Sequence, residues 1–162
     1  MKKILPAAVL LSTLSPLALA LEVGADAPKC DLQQFSDAAP VQLIKPGKVT
    51  YVDFWASWCG PCEQSMPFLE EINTQLKAKN FEVIAINLDE SKDDAKSFLD
   101  KHKVNFTVAV NPNGECPAAF GVVAMPSSYL VDRKGKIRRI NLGFHAEEKA
   151  VIRAEVEKLL AE

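Results

Sequence analysis

A seven-residue run, Val49–Trp55, constrains the fold most strongly, because a short loop and a helical pattern follow it directly. The run consists of β-branched and aromatic residues, and Asp53 is its only charged member. This composition predicts a buried central strand in a sheet that is covered on both faces. Apolar residues recur at helical spacing from about residue 61 to residue 79. The combination predicts an α/β fold.

The rest of the chain continues the alternation of strands and helices. Further strands are predicted over residues 32–35, 41–45, 81–88, 106–110, 127–132 and 137–142. Helices are predicted from residue 91 to about residue 103, over residues 117–120 and over residues 146–160. The inward residues of the last helix are expected to be Val151, Ile152, Val156, Leu159 and Leu160. Residues 21–162 are therefore expected to form one domain with a mixed sheet.

The first twenty residues have the pattern of a secretory signal peptide. Lys2 and Lys3 precede an apolar stretch, and Ala18–Ala20 supplies the small residues of a cleavage site. We predict cleavage after Ala20 and export to the periplasm, an oxidising compartment in which disulfides persist. The alternative is an uncleaved membrane anchor, which the short apolar core and its two prolines disfavour.

Charge and cysteine content narrow the classes of function. The 162 residues include 19 Lys and Arg against 21 Asp and Glu, which gives a net charge of −2. This balance argues against a nucleic-acid-binding protein, which would carry a basic patch or arm. The four cysteines are too few for a small domain held together by disulfides, but they suffice for a redox site and one structural disulfide.

The chemistry is expected at Cys59 and Cys62, where the buried strand is followed by the helix. A cysteine at a helix start faces unpaired backbone N–H groups that stabilise its thiolate, so we expect Cys59 to be the exposed nucleophile. Cys62 would be the buried thiol that resolves the mixed disulfide. Pro61 is tolerated in the first helical turn. A structural disulfide and half of a zinc site are the alternatives, and zinc is disfavoured because the chain has no second C-x-x-C.

The stretch from Asp53 to Cys62, which ends in Trp58-Cys59-Gly60-Pro61-Cys62, resembles the active-site segment of thioredoxins. Pro67 matches the proline that kinks the thioredoxin active-site helix, and Met125-Pro126 resembles the cis-proline of that superfamily. The signal peptide, the N-terminal hairpin and an inserted helix and strand between residues 87 and 110 resemble TlpA-like and ResA-like exported thiol-disulfide oxidoreductases. The resemblance implies a thioredoxin-like fold.

Several roles follow from the residues together with this resemblance. Burial should raise the pKa of Asp53 and make it a proton relay for Cys62, although an outward-facing Asp53 on an edge strand is the alternative. Glu90 could lie beside the cysteines, as an acidic residue does in ResA-like proteins, or it could be a solvated loop carboxylate. A cis Pro126 would leave the Met125 backbone free to pair with an extended client segment. Trp58, Gly60 and Pro61 complete the expected client-binding surface.

Cys30 and Cys116 are either two free buried thiols or one disulfide. Free thiols are poorly suited to an oxidising compartment, and pairing Cys59 with Cys62 leaves only these two. We therefore predict a structural disulfide between Cys30 and Cys116.

The predicted function is exchange of disulfides with client proteins through Cys59 and Cys62. Electrons pass through the cysteines, so neither a metal nor an organic cofactor is expected. The thioredoxin-like Gly60-Pro61 dipeptide favours a reductase, expected to act as a monomer. The resemblance implies a membrane thiol reductant of the DsbD or CcdA type and a role such as cytochrome c maturation. The alternatives are a thiol peroxidase and a non-enzymatic assembly module with a permanently closed disulfide.

Overall fold

Seven strands form one mixed sheet in residues 21–162, the part of the chain that the computed structural model describes; the predicted signal peptide at residues 1–20 lies outside it. The strand order is β2-β1-β5-β4-β3-β6-β7. Strand β3 pairs in parallel with β4, and β4 with β5, whereas all other pairs are antiparallel. The strands are β1 (Leu32–Gln34), β2 (Pro40–Val41), β3 (Val49–Trp55), β4 (Phe81–Asn87), β5 (Thr107–Val110), β6 (Ser127–Val131) and β7 (Ile137–Leu142).

Four α-helices in the described residues connect and cover these strands: α1 (Gly60–Leu76), α2 (Lys92–Lys101), α3 (Glu115–Ala119) and α4 (Lys149–Ala161). Two 3₁₀ turns, Lys77–Lys79 and Ala146–Glu148, extend the end of α1 and the start of α4. The expected α/β fold, with its N-terminal hairpin and inserted helix and strand, is confirmed. No helix in the described part of the chain is long and apolar enough to cross a membrane.

The sheet has an apolar core on each face because side chains alternate along its strands. On one face, Tyr51 and Trp55 of β3 pack with the buried residues of α1, α2 and α4. On the other face, Val52 and Phe54 pack with α3 and the N-terminal segment. All seven residues of β3 are buried, as expected for a central strand covered on both sides.

Two local expectations about these elements are wrong. Strand β2 covers only Pro40–Val41 rather than residues 41–45, because Leu43 packs into the core beyond the point where the hairpin pairing ends. In α4, Ile152, Val156 and Leu159 are buried and the partly buried Leu160 packs against the core, as expected, but Val151 is 53% exposed. The inward stripe of α4 is thus narrower than the apolar content of the sequence suggested.

A disulfide between Cys30 and Cys116 ties the N-terminal segment to α3. The two residues are 86 positions apart in the sequence. By loop entropy, a closure of this length contributes on the order of 4–5 kcal/mol to stability. The disulfide thus fixes the segment that carries β1 and β2 to the body of the domain.

Candidate active site

Cys59 and Cys62 form a disulfide at the N-terminus of α1. Cys59 is the N-cap residue, and its Sγ accepts a hydrogen bond from the Cys62 amide at 3.2 Å. Pro61 lies in the first turn, where its missing N–H costs no helical hydrogen bond. In the reduced protein, the same amide and the positive end of the helix dipole would stabilise a Cys59 thiolate. Pro67 lies inside α1, one turn further along.

The two cysteines differ in exposure less than the sequence suggested. Cys59 is 6% exposed and Cys62 is fully buried, and both belong to the core cluster that contains Trp55. In the disulfide form, the expected exposed nucleophile is therefore mostly covered. The order is nevertheless the one a nucleophile and a resolving thiol require, because only Cys59 reaches solvent.

Asp53 lies on the same face of the sheet as the cysteine pair. It stands between Tyr51 and Trp55 in β3, which pack into the same core cluster as Cys59 and Cys62. The side chain is 2% exposed, and its Oδ2 has no hydrogen-bond partner among the described residues. Burial raises the pKa of Asp53 to about 8. The carboxyl group can therefore gain and lose a proton near neutral pH, as a proton relay must.

Asp89, which the sequence analysis did not single out, anchors the loop that leads into the cysteine pair. Its carboxylate accepts hydrogen bonds from the Ser57 amide at 2.9 and 3.1 Å and from the Ser57 hydroxyl at 2.8 Å. Asn87 Nδ2 donates a further bond to it at 2.7 Å. Glu90, by contrast, is exposed. The position of Asp89 just past the end of a parallel strand, where active sites of α/β sheets lie, was the available signal.

We expect Asp89→Ala to loosen this loop. Hydrogen bonds to a charged group contribute about 1.5–3 kcal/mol each, so amide hydrogen exchange at Ser57 should accelerate by roughly tenfold or more. The matched variant Glu90→Ala removes an exposed carboxylate from the adjacent position and should leave Ser57 exchange unchanged. Equal acceleration in the two variants would contradict the assignment of Asp89 as the anchor.

The remaining predicted site residues differ in exposure and packing. Trp58 is 72% exposed, whereas Trp55 is fully buried. The Met125–Pro126 peptide bond is cis, and Met125 packs against the core cluster that contains both cysteines. Val123, in the same loop, is 88% exposed.

One contact between polar side chains reaches the first turn of α1. Glu63, directly after Cys62, lies 3.1 Å from His102 Nε2. The His102 ring stacks on Phe98, which in turn packs on Trp55, with ring centroids 4.4 and 5.0 Å apart. The inserted helix α2 thus contacts the redox site through an aromatic stack. Among residues 21–162, no group of three His, Cys, Asp or Glu side chains is placed to hold a metal ion.

The fold and the cysteine pair define a thioredoxin-like thiol-disulfide oxidoreductase. Comparison with known proteins agrees: residues 22–160 match the Redoxin family, and the chain belongs to that family. The expected TlpA-like and ResA-like character is confirmed by the relatives. The thiol-disulfide oxidoreductase ResA of Bacillus thuringiensis subsp. konkukian is 32% identical over 117 residues, which cover 72% of this chain and 68% of the relative. ResA of Oceanobacillus iheyensis is 34% identical over 125 residues, covering 75% of this chain and 65% of the relative.

A solved structure supports the same class. The putative thiol:disulfide interchange protein DsbE from Chlorobium tepidum superposes with a TM-score of 0.81 at 41% identity and covers 86% of this chain and 99% of its own. StoA from Bacillus subtilis, at 19% identity and a TM-score of 0.67, shares the fold. The chain is therefore a protein-disulfide oxidoreductase, a class whose clients are proteins that carry disulfides.

Proposed function

We propose that this chain is an exported reductase of client-protein disulfides, with Cys59 as nucleophile, Cys62 as resolving thiol and Asp53 as proton relay. The observation that carries the proposal is the redox pair at the start of α1, on the same sheet face as a buried carboxyl group whose pKa lies near neutrality. Export is supported by the signal pattern of residues 1–20, and we propose the periplasm as the compartment.

The reduction proceeds in two exchanges. The Cys59 thiolate attacks one sulfur of the client disulfide, a mixed disulfide forms, and the first client sulfur leaves as a thiolate that takes a proton from water. Cys62 then gives its thiol proton to the Asp53 carboxylate and attacks Cys59 Sγ. The second client thiolate leaves and is protonated by water, and Asp53 returns its proton to water. Two electrons pass from the dithiol to the client, and the Cys59–Cys62 disulfide is restored.

The client would bind across the exposed surface at the start of α1. Trp58 offers a large exposed ring, Gly60 and Pro61 lie between the two cysteines in the chain, and Met125 packs against the core cluster that contains both cysteines. An extended client segment could pair with the backbone of this loop as an additional strand would.

The direction of electron flow rests on local charge and on the Gly60-Pro61 dipeptide. A strong oxidant stabilises its thiolate, and the carboxylate of Glu63 in the first turn of α1 opposes that charge. A reductase in an oxidising compartment needs a supply of electrons. We propose that a membrane thiol carrier of the DsbD or CcdA type reduces the pair.

Both directions can be tested with one protein at pH 7. The reduced form of residues 21–162 should cleave the disulfides of a folded test client such as insulin. The oxidised form should introduce disulfides into a reduced, unfolded client at least about tenfold more slowly. Cys59→Ser serves as the inactive control in both assays. Faster oxidation than reduction would overturn the proposed direction, and efficient peroxide turnover by the wild type would instead favour a thiol peroxidase.

A further inference from the structure

A row of buried polar side chains crosses the sheet beside Asp53. In the antiparallel pairing of β3 with β6, Asp53 lies directly opposite Ser128, and in the pairing of β6 with β7, Ser128 lies opposite Asn141. Directly opposed residues share a face of the sheet, and their Cβ atoms lie about 4.5–5.5 Å apart. Ser128 and Asn141 are 3% and 6% exposed. Tyr51, two residues before Asp53, joins the row on the same face.

The hydrogen bonds of this row fix the orientation of its members. Asn141 Oδ1 accepts a bond from Arg139 Nε, so the amide oxygen faces the guanidinium and Nδ2 faces the two hydroxyl groups. Nδ2 donates to Ser128 Oγ at 3.0 Å and to Tyr51 Oη at 3.4 Å. The Ser128 and Tyr51 hydroxyls lie 2.7 Å apart and share one further hydrogen bond.

A count of hydrogens leaves one donor without an acceptor inside the row. Each hydroxyl carries one hydrogen, and the bond between Ser128 and Tyr51 uses only one of the two. Asn141 donates to both oxygens, and its own oxygen faces Arg139. When Tyr51 donates to Ser128, the hydrogen of Ser128 is free. The carboxyl group opposite Ser128 is Asp53, whose Oδ2 lacks a partner among the described residues.

No hydrogen bond joins Ser128 to Asp53 Oδ2 as the two side chains stand. We propose that Ser128, held by Tyr51 and Asn141, is a positioning residue whose spare hydroxyl hydrogen becomes a donor to Asp53 when Asp53 ionises and its carboxylate turns towards β6. The inference rests on the proposed relay and deepens it, because it names the group that stabilises the proton-accepting state. A donor to the charged form opposes the effect of burial. Ser128 thereby sets the fraction of Asp53 that is ready to take the proton of Cys62.

The other groups that face Asp53 are few. The neighbouring strand β4 contributes Ala85 opposite Asp53, which does not titrate. Arg139 is the cation of the row. Burial and the charge of Asp53 raise the pKa of Tyr51, and the charge of Arg139 opposes this increase. The titratable and charged groups to be considered are Tyr51 on β3, Cys59 and Cys62 on α1, Arg139 on β7, and its ion-pair partners Glu148 and Glu155.

The test is the titration of Asp53 in the oxidised protein, followed by carboxyl ¹³C NMR and assigned by loss of the signal in Asp53→Asn. We expect Ser128→Ala to raise the titration midpoint of Asp53 by about one pH unit, and Ser128→Thr, which keeps the hydroxyl, to restore it. Thr50→Val is the matched control, because it removes a buried hydroxyl from the opposite face of β3 and should leave the midpoint unchanged. An unchanged or lower midpoint in Ser128→Ala would overturn the inference.

A second measurement needs no variant. In the wild type, the hydroxyl proton resonance of Ser128 should shift downfield as Asp53 ionises. An unchanged chemical shift of this proton across the ionisation of Asp53 would also refute the proposal. These results are independent of the relay itself. If Asp53→Asn left thiol exchange unchanged while Ser128→Ala moved the midpoint, the relay would fail and the role of Ser128 would stand.

Discussion

Cys62→Ser should halt exchange at the mixed disulfide. Once Cys59 has attacked a client, no thiol remains in this variant to displace the client, so a covalent adduct should accumulate. Cys59→Ser should form no adduct, and its rate of client reduction should fall by at least about a thousandfold, because the nucleophile at the helix N-terminus is gone. Non-reducing gels and mass spectrometry of the client mixture would measure both effects.

The position of the adduct is the decisive detail. Peptide mapping of the trapped Cys62→Ser complex should place the client on Cys59, which has the only exposed fraction in the pair. Cys30→Ser/Cys116→Ser, combined with Cys62→Ser, is the control, and it should trap clients equally well. Adducts that form on Cys59→Ser, or that map to Cys30 or Cys116 in Cys62→Ser, would contradict the assigned roles.

The stability of the protein should fall as pH rises, owing to Asp53. Burial holds its pKa at about 8, whereas the same carboxyl in an unfolded chain has a pKa near 3.8. Between these values the folded protein keeps a proton that the unfolded chain releases, so stability is lost as pH rises through this window and levels off above it. The loss from this one group is on the order of 4 kcal/mol between pH 4 and pH 7.

Asp53→Asn removes the titrating group and should abolish this loss. Urea unfolding of the oxidised proteins at pH 4, 7 and 9 should show that the free energy of unfolding of the variant increases relative to that of the wild type as pH increases. Glu157→Gln, which removes an exposed carboxylate from α4, is the control and should follow the wild type. If the stability curves of Asp53→Asn and wild type ran parallel from pH 4 to pH 9, the buried, protonated state of Asp53 would be refuted.

The sequence predicts the elements around the redox pair well because their signals are local. Val49–Trp55 is uniformly apolar apart from Thr50 and Asp53. The cysteine spacing indicates the start of α1 independently of residues that are distant in the sequence. The length of β2 and the exposure of Val151 were not predictable in this way. Each depends on how other segments of the same polypeptide pack against β2 and α4. Such packing is a property of the tertiary structure rather than of the local sequence pattern.

Two features of the site depend on residues that are distant in the sequence. Asp89 was missed because its role depends on a contact with Ser57, 32 residues earlier, while the adjacent Glu90 has the same charge. The row of Tyr51, Ser128 and Asn141 arises only from the register of β3, β6 and β7. A single polar residue in an apolar strand indicates that it needs a partner, but it does not identify that partner.

The midpoint potential of the Cys59–Cys62 pair tests the central claim most directly. It would be measured on residues 21–162 equilibrated in thiol redox buffers at pH 7, with tryptophan fluorescence as readout, since Trp55 shares a core cluster with both cysteines. The account predicts a value below about −220 mV, in the range of reducing thioredoxin-like proteins. A value near −120 mV would be that of a strong oxidant and would contradict the assignment as a reductase.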